Sequence, residues 1–474
     1  MAMTDPTSVD GRRLGGMSAA TWRAAVHSPL LRSAMTGVFV LDEAPDPDAL
    51  RVRMEGITRQ FPALRSRIID SPSQFGSPRL VPDPAFDLSL HLAHYLMPAP
   101  GSWQQVLQHV RRHSLTDLDR DRALWRATLI DGLHDARSAV ILVVHHAICD
   151  GQGLVKIITG LLDHDHTDTD LATGVQVPAG SSQSKSSFRS PGVDHVRHGR
   201  AAQAHEAMSK HARRVIASRS RASGVLRLAG STRQIGQIHS APLSTLLTGR
   251  SATYAARTLD LVFPSLRAVA KQHGGSINDA FLTGLSGGIG RYHEASGSPA
   301  GKLRINVPVS FRRETDRVDD NTQAIARIVL DASEANDDIR FAAAQRAMAA
   351  ARREPLLPHM DLVAEASKLL PIDAIVAMSR GSDLTASNVP GPPMPVRLGG
   401  SRVERIYPVV ATMGAAANIT LLSYAGKWCS IGVTVDEAAV EQPDLFVECL
   451  AQGFTDLGVD VPADPFDPLS ISRG

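Results

Sequence analysis

Cysteine is scarce in this sequence: Cys149, Cys429 and Cys449 are the only three in 474 residues, odd in number and far apart. Such a set builds neither a disulfide framework nor a cysteine zinc site, and it fits a reducing, cytoplasmic setting. Long apolar runs are also missing. No stretch approaches the roughly 20 apolar residues that cross a bilayer, so any contact with lipid is expected to be peripheral. Arg12-Arg13 has no apolar stretch behind it, and no secretory or twin-arginine signal is expected. Charge of one sign is lacking too. Fifty Lys and Arg oppose 48 Asp and Glu, for a net charge of +2, so no global field marks a nucleic-acid binder. What the chain does hold is length for two to four domains and 43% hydrophobic residues, ample for a core.

The most informative stretch is SAVILVVHHAICDGQGLVKIITGLL, residues 138–162. Its first seven residues are short, β-branched and apolar, which reads as a buried strand. From Leu154 the apolar residues recur at three- and four-residue steps, the period of a helix with one buried face. His145, His146, Asp150 and Gly151 therefore stand on the turn between strand and helix. Side chains alternate along a strand, so the two histidines point to opposite faces and only one reaches a given cleft. Imidazole, with an unperturbed pKa of about 6.5, suits taking and returning a proton near neutral pH. Asp150 turns back to hold the loop, and Gly151 is expected to supply a backbone angle other residues resist.

Around this turn the pattern alternates strands and helices. Residues 35–41 read as a strand, 49–61 as a helix capped by Asp46 or Asp48, 102–114 as a helix, and 118–133 as a charged turn entering a strand. DHDHTDTD at 163–170 has metal-ligand residue types but no later cluster to complete a shell, so it reads as solvated linker. A Ser-, Gly- and Pro-rich connection follows at 178–192. Between Lys185 and Arg233 the only acids are Asp194 and Glu206. A basic helix can adsorb to anionic membrane, but this one lacks an inserting Trp, Phe and Leu stripe and reads as a solvated bridge. Beyond Pro242 come a strand and two helices parted by Gly274-Gly275, the second capped by Ser276 or Asn278. Glycines 284, 287, 288 and 290 miss the nucleotide-binding spacing and point to close helix packing. Residues 302–314 read as a strand, 384–410 as a stiff extended crossing, and 417–436 as a hairpin about Ala425-Gly426.

HHAICDG is similar to the His-His-x-x-x-Asp-Gly signature of the coenzyme-A-dependent acyltransferase superfamily. DRDRALW, GGSINDAFLTGL, VPVSFR, SNVPGP and ITLLSYAGKW, in order, resemble the wax ester synthase/diacylglycerol acyltransferase family. MSAATWRAA near the start and Ser244 depart from its pattern. The resemblance implies an α/β (α+β) fold of two chloramphenicol-acetyltransferase-like halves, with mixed, mostly antiparallel sheets and a channel between them. Residues 1–16 form a flexible N-terminus, 17–170 the half carrying the motif, 171–235 the linker, and 236–474 the second half.

The implied reaction moves a fatty acyl group from acyl-CoA, a cosubstrate rather than a bound cofactor, to the hydroxyl of diacylglycerol or a long-chain alcohol. His146 is then the general base, with His145 and Asp150 beside it, and Gly151 and Arg312 supporting the motif; Arg312 is the expected partner of Asp150. By the same likeness Asn278 and Asp279 are substrate-site candidates, with helix capping as their structural reading. No metal and no nucleic acid are expected, and the location is the cytoplasm or the periphery of the inner membrane face or lipid droplets. The alternatives are a specialised O- or N-acyltransferase acting on a secondary metabolite or polyketide, and a non-catalytic lipid-binding or scaffold protein.

Overall fold

The computed structural model describes residues 11–71, 76–164, 240–310, 323–354, 364, 370–463 and 466. The basic stretch, the Ser-rich connection, most of DHDHTDTD and Arg312 lie outside them. Met1–Asp165 and Ile238–Gly474 together form one compact unit; a second, His166–Gln237, is outside the described residues.

In chain order the first part carries β1 (Arg12–Arg13), α1 (Gly16–His27), β2 (Ala34–Leu41), α2 (Pro47–Gln60), β3 (Ser66–Ile69), β4 (Arg79–Pro82) and β5 (Leu92–Leu96). It continues through α3 (Trp103–Leu115), β6 (Trp125–Asp131), β7 (Ser138–His145), α4 (Gly151–Leu161) and β8 (Asp163–His164). The second part holds β9 (Tyr254–Val262), α5 (Phe263–Gln272), α6 (Ile277–Ala295), β10 (Lys302–Ser310), β11 (Gln323–Asp331), α7 (Asp337–Arg352) and α8 (Ile372–Arg380). It closes with β12 (Leu384–Pro390), β13 (Val396–Leu398), β14 (Ser401–Val410), β15 (Ala417–Tyr424), β16 (Trp428–Asp436) and α9 (Pro443–Asp456). The N-terminal sheet runs β5-β6-β7-β2-β14-β13-β8 and the C-terminal sheet β11-β10-β12-β15-β16-β9, while β1, β4 and β3 make a small third sheet. Among the described residues only β5–β6, β10–β12 and β12–β15 pair in parallel, so the two large sheets are mixed and mostly antiparallel.

Local signals place the helices. Asp46 caps α2 by accepting from Asp48 N, and Ser102 closes a capping box with Gln105 at α3. Gly274 at φ 62° ends the turn after α5, and Ala425 and Gly426, both at positive φ, make the β15–β16 hairpin. The glycines of α6 serve contact with α9: a Cβ at Gly284 would strike Phe454, and one at Gly288 would lie 2.6 Å from Leu450 Cα.

The segment 396–410, assigned by sequence to the second half, departs from that boundary. It leaves the C-terminal sheet after β12 and completes the N-terminal one, β14 lying antiparallel to β2 from Val403↔Leu41 to Val410↔Met35. A buried network fastens the crossing. The Asp260 carboxylate on β9 accepts from Arg405 Nε at 3.0 Å, Tyr407 OH at 2.9 Å and Ser430 Oγ at 2.8 Å. The Arg405 guanidinium lies 3.7 Å above the centre of the Trp428 ring, and β14 passes so close to β16 that Gly432 leaves no room for a side chain beside the Pro408 carbonyl.

The two faces of the N-terminal sheet have separate cores. Ala139, Ile141 and Val143 of β7 pack with Val106 and Val110 of α3, whereas Val140, Leu142 and Val144 pack with Leu154, Ile157 and Ile158 of α4. Among the described residues, no helix is long and apolar enough to cross a membrane.

Candidate active site

β7 ends at His145, where its pairing partner on β2 is Ala34. The backbone stays tethered for one residue more: His145 N donates to Leu124 O at 3.0 Å and His146 N to Ser33 O at 2.8 Å. The chain then turns through Ala147, Ile148 and Cys149, all at most 1% exposed, into α4, which starts at Gly151, three residues before the periodicity placed it. Cys149 is a small buried filler of this turn.

Asp150 is fully buried and caps α4. Its Oδ1 accepts from Gly153 N at 2.7 Å and its carbonyl from Leu154 N at 2.8 Å, fixing the helix start against the histidines. Gly151 does not occupy the left-handed region expected of it. What its missing side chain leaves is space: a Cβ there would meet, among the described residues, one atom within 4 Å outside its own helix and chain neighbours, Gln323 Nε2 at 3.4 Å.

The strand's alternation separates the two imidazoles. His145 continues the α3-facing series and borders a small cavity with Trp22, Arg32, Ser114, Asp117 and Arg120. The Trp22 ring stands edge-on to it at 5.6 Å. Ala147 N donates to His145 Nδ1 at 3.0 Å, so that nitrogen is the unprotonated one. Burial, then the neighbouring His146 and Arg120, push the His145 pKa down to about 3. It is a neutral, structurally engaged ring.

His146 falls on the α4 side. Its pKa also lies below the ordinary imidazole value, chiefly through burial, while its own backbone carbonyl and the Asp150 carboxylate favour the charged form and limit the drop. Its Nδ1 is buried and, among the described residues, has no hydrogen-bond partner. The chemistry available here is that of a neutral base beside a fixed carboxylate.

The remaining candidates lie on other elements. Ser276, not Asn278, caps α6, and Asp279 reciprocates by accepting from Ser276 N at 2.8 Å. The capping reading thus holds for Asp279. Asn278 keeps its Nδ2 buried without a partner among the described residues. Ser244, the departure noted above, caps its own turn by accepting from Leu247 N at 2.9 Å, and its hydroxyl meets His293 Nε2 at 3.0 Å. Sequence reading missed Trp22, Ser33 and Gln323, whose roles depend on partners far along the chain.

Two mixed α/β half-sheets with HHAICDG at the strand-to-helix turn of one define the two-domain chloramphenicol-acetyltransferase-like fold. Residues 19–281 match the wax ester synthase/diacylglycerol acyltransferase catalytic domain, and 321–458 the WS/DGAT C-terminal domain. The chain belongs to the wax ester synthase/diacylglycerol acyltransferase family and is an acyltransferase of that family. It is 32% identical over 437 residues to a putative diacylglycerol O-acyltransferase of Mycobacterium tuberculosis, covering 91% of this chain and 88% of the relative. The wax ester synthase/diacylglycerol acyltransferase from Marinobacter aquaeolei VT8 superposes with a TM-score of 0.62 at 18% identity, over 94% of this chain and 98% of that one. The starter condensation domain of rhizomide synthetase, in complex with C8-CoA and Leu-SNAC, gives 0.59 at 14% identity, over 94% and 93%. At such identities the two solved structures speak for the fold alone.

Proposed function

We propose that this protein transfers a fatty acyl group from acyl-CoA to the hydroxyl of diacylglycerol or a long-chain alcohol, with His146 as general base. The observation that carries this reading is the contrast between the two histidines: a backbone donor holds His145 in a neutral form, while among the described residues no other residue hydrogen-bonds the buried Nδ1 of His146, whose charged form the Asp150 carboxylate favours. Family membership supplies the reaction class.

In this mechanism the hydroxyl oxygen attacks the thioester carbonyl carbon as His146 takes the hydroxyl proton, and the carbonyl electron pair moves to oxygen. The tetrahedral intermediate collapses, C=O re-forms, and the C–S bond breaks. The departing thiolate receives the proton from His146, leaving an ester and coenzyme A. No acyl-enzyme and no bound cofactor is required. Asp150 holds the turn and tempers the cost of imidazolium beside it. Both lipid substrates reside in membranes or droplets, so the protein would meet them at such a surface.

The test is coenzyme-A thiol release from palmitoyl-CoA, with and without diacylglycerol or hexadecanol. Release should depend on acceptor, and His146→Ala should lower it by about 10² to 10⁴ with the fold retained. Full turnover in that variant would rule out His146 as the base.

A further inference from the structure

Attack on a thioester places negative charge on the carbonyl oxygen, and a base on one side of the carbonyl does nothing for it; a donor must come from elsewhere. Val144, Ala147 and Ile148, which flank the two histidines, pack on the α4 side of the N-terminal sheet, and the Asp150 carboxylate that caps α4 at Gly151 acts on His146. The atom standing against Gly151 belongs to the other sheet. Gln323 opens β11, opposite Ser310 at the end of β10, and its Nε2 lies 3.4 Å from where a Cβ at Gly151 would be. Gln323 is partly buried, and no hydrogen bond of its side-chain amide is found among the described residues. A donor is thus carried from the C-terminal sheet to the start of α4, with no partner among the described residues.

We propose that Gln323 donates its side-chain amide N–H to the thioester carbonyl oxygen as the acceptor hydroxyl attacks. This rests on the acyl-transfer reading above. No atom is added to the reaction: the amide holds the oxygen while the C–O bond forms and releases it when C=O re-forms and the thiol leaves. The amide is neutral, so it draws no proton and leaves proton movement to His146. Because the charge exists only in the transition state, the contribution falls on kcat rather than on KM.

The experiment compares wild type, Gln323→Met and Gln323→Glu in the thiol-release assay with palmitoyl-CoA and hexadecanol or diacylglycerol. Methionine keeps the side chain's length and loses the donor; glutamate keeps its shape and adds charge where charge must develop. Loss of one such donor lowers kcat about 10²- to 10³-fold. Gln323→Met should show that loss with the KM for palmitoyl-CoA within threefold of wild type, and Gln323→Glu should be slower still. A mere filler role predicts the reverse order of tolerance, since the polar isostere fits a partly buried strand end better. Should the methionine variant fail to fold, Gln323→Asn, which withdraws the donor by one methylene, carries the same expectation of lowered kcat at unchanged KM. Wild-type activity with kcat retained within threefold in these variants overturns this assignment alone. A wild type that releases no thiol with any acceptor overturns the acyl-transfer reading and this assignment with it.

Discussion

His145 and His146 show how one position in a strand decides chemistry. Both rings are held below the ordinary imidazole pKa by burial, yet His145 faces Trp22 and a backbone donor while His146 turns toward the start of α4. A base works only when neutral. Because the folded-state pKa of His146 lies below about 6.5, the neutral form persists as pH falls through that value and is lost only at lower pH. The acid limb of the kcat/KM profile for palmitoyl-CoA should therefore be centred below pH 6.5. An acid limb centred at or above 6.5 would mean that burial does not set this ring's pKa.

At the scale of elements, much was legible because the causes are local. The strand, turn and helix around HHAICDG follow from a change in hydrophobic period, and the α6 glycines announce packing by failing the nucleotide-binding spacing. Other features carry no such signal. Gly432 sits in a run buried without a break from Cys429 to Asp436, and nothing within several residues explains a glycine there; the reason is the Pro408 carbonyl of β14. Gly432→Ala should lower stability by about 1 to 3 kcal/mol, the usual cost of overpacking, measured as a lowered urea midpoint with unchanged slope. A variant as stable as wild type would show that β14 and β16 can part without cost. Gln323 was hidden for the same reason, since its relation to Gly151 spans 172 positions of sequence and reveals itself only once the sheets meet.

At the scale of the molecule, the two halves foreseen in sequence exist as two sheets but not as two independent segments of chain. β14 gives the N-terminal sheet a central strand, and Asp260, Arg405, Tyr407 and Ser430 tie that strand to the sheet it leaves. Residues 1–235 and 236–474, produced separately, should each lack cooperative thermal unfolding, and mixing them during refolding should restore it. A sharp transition in the first fragment alone would show that β2 needs no partner on its far side.

The same exchange sets a schedule for the ribosome. When Asp165 has been made, β2 presents a bare edge of backbone donors and acceptors, and its partner ends about 245 residues later at Val410. At about 5 to 20 residues per second, that is a wait of roughly 12 to 50 s with a sticky strand exposed. Nascent chains of this protein thus pass through a long interval in which the N-terminal portion is made but its sheet is incomplete.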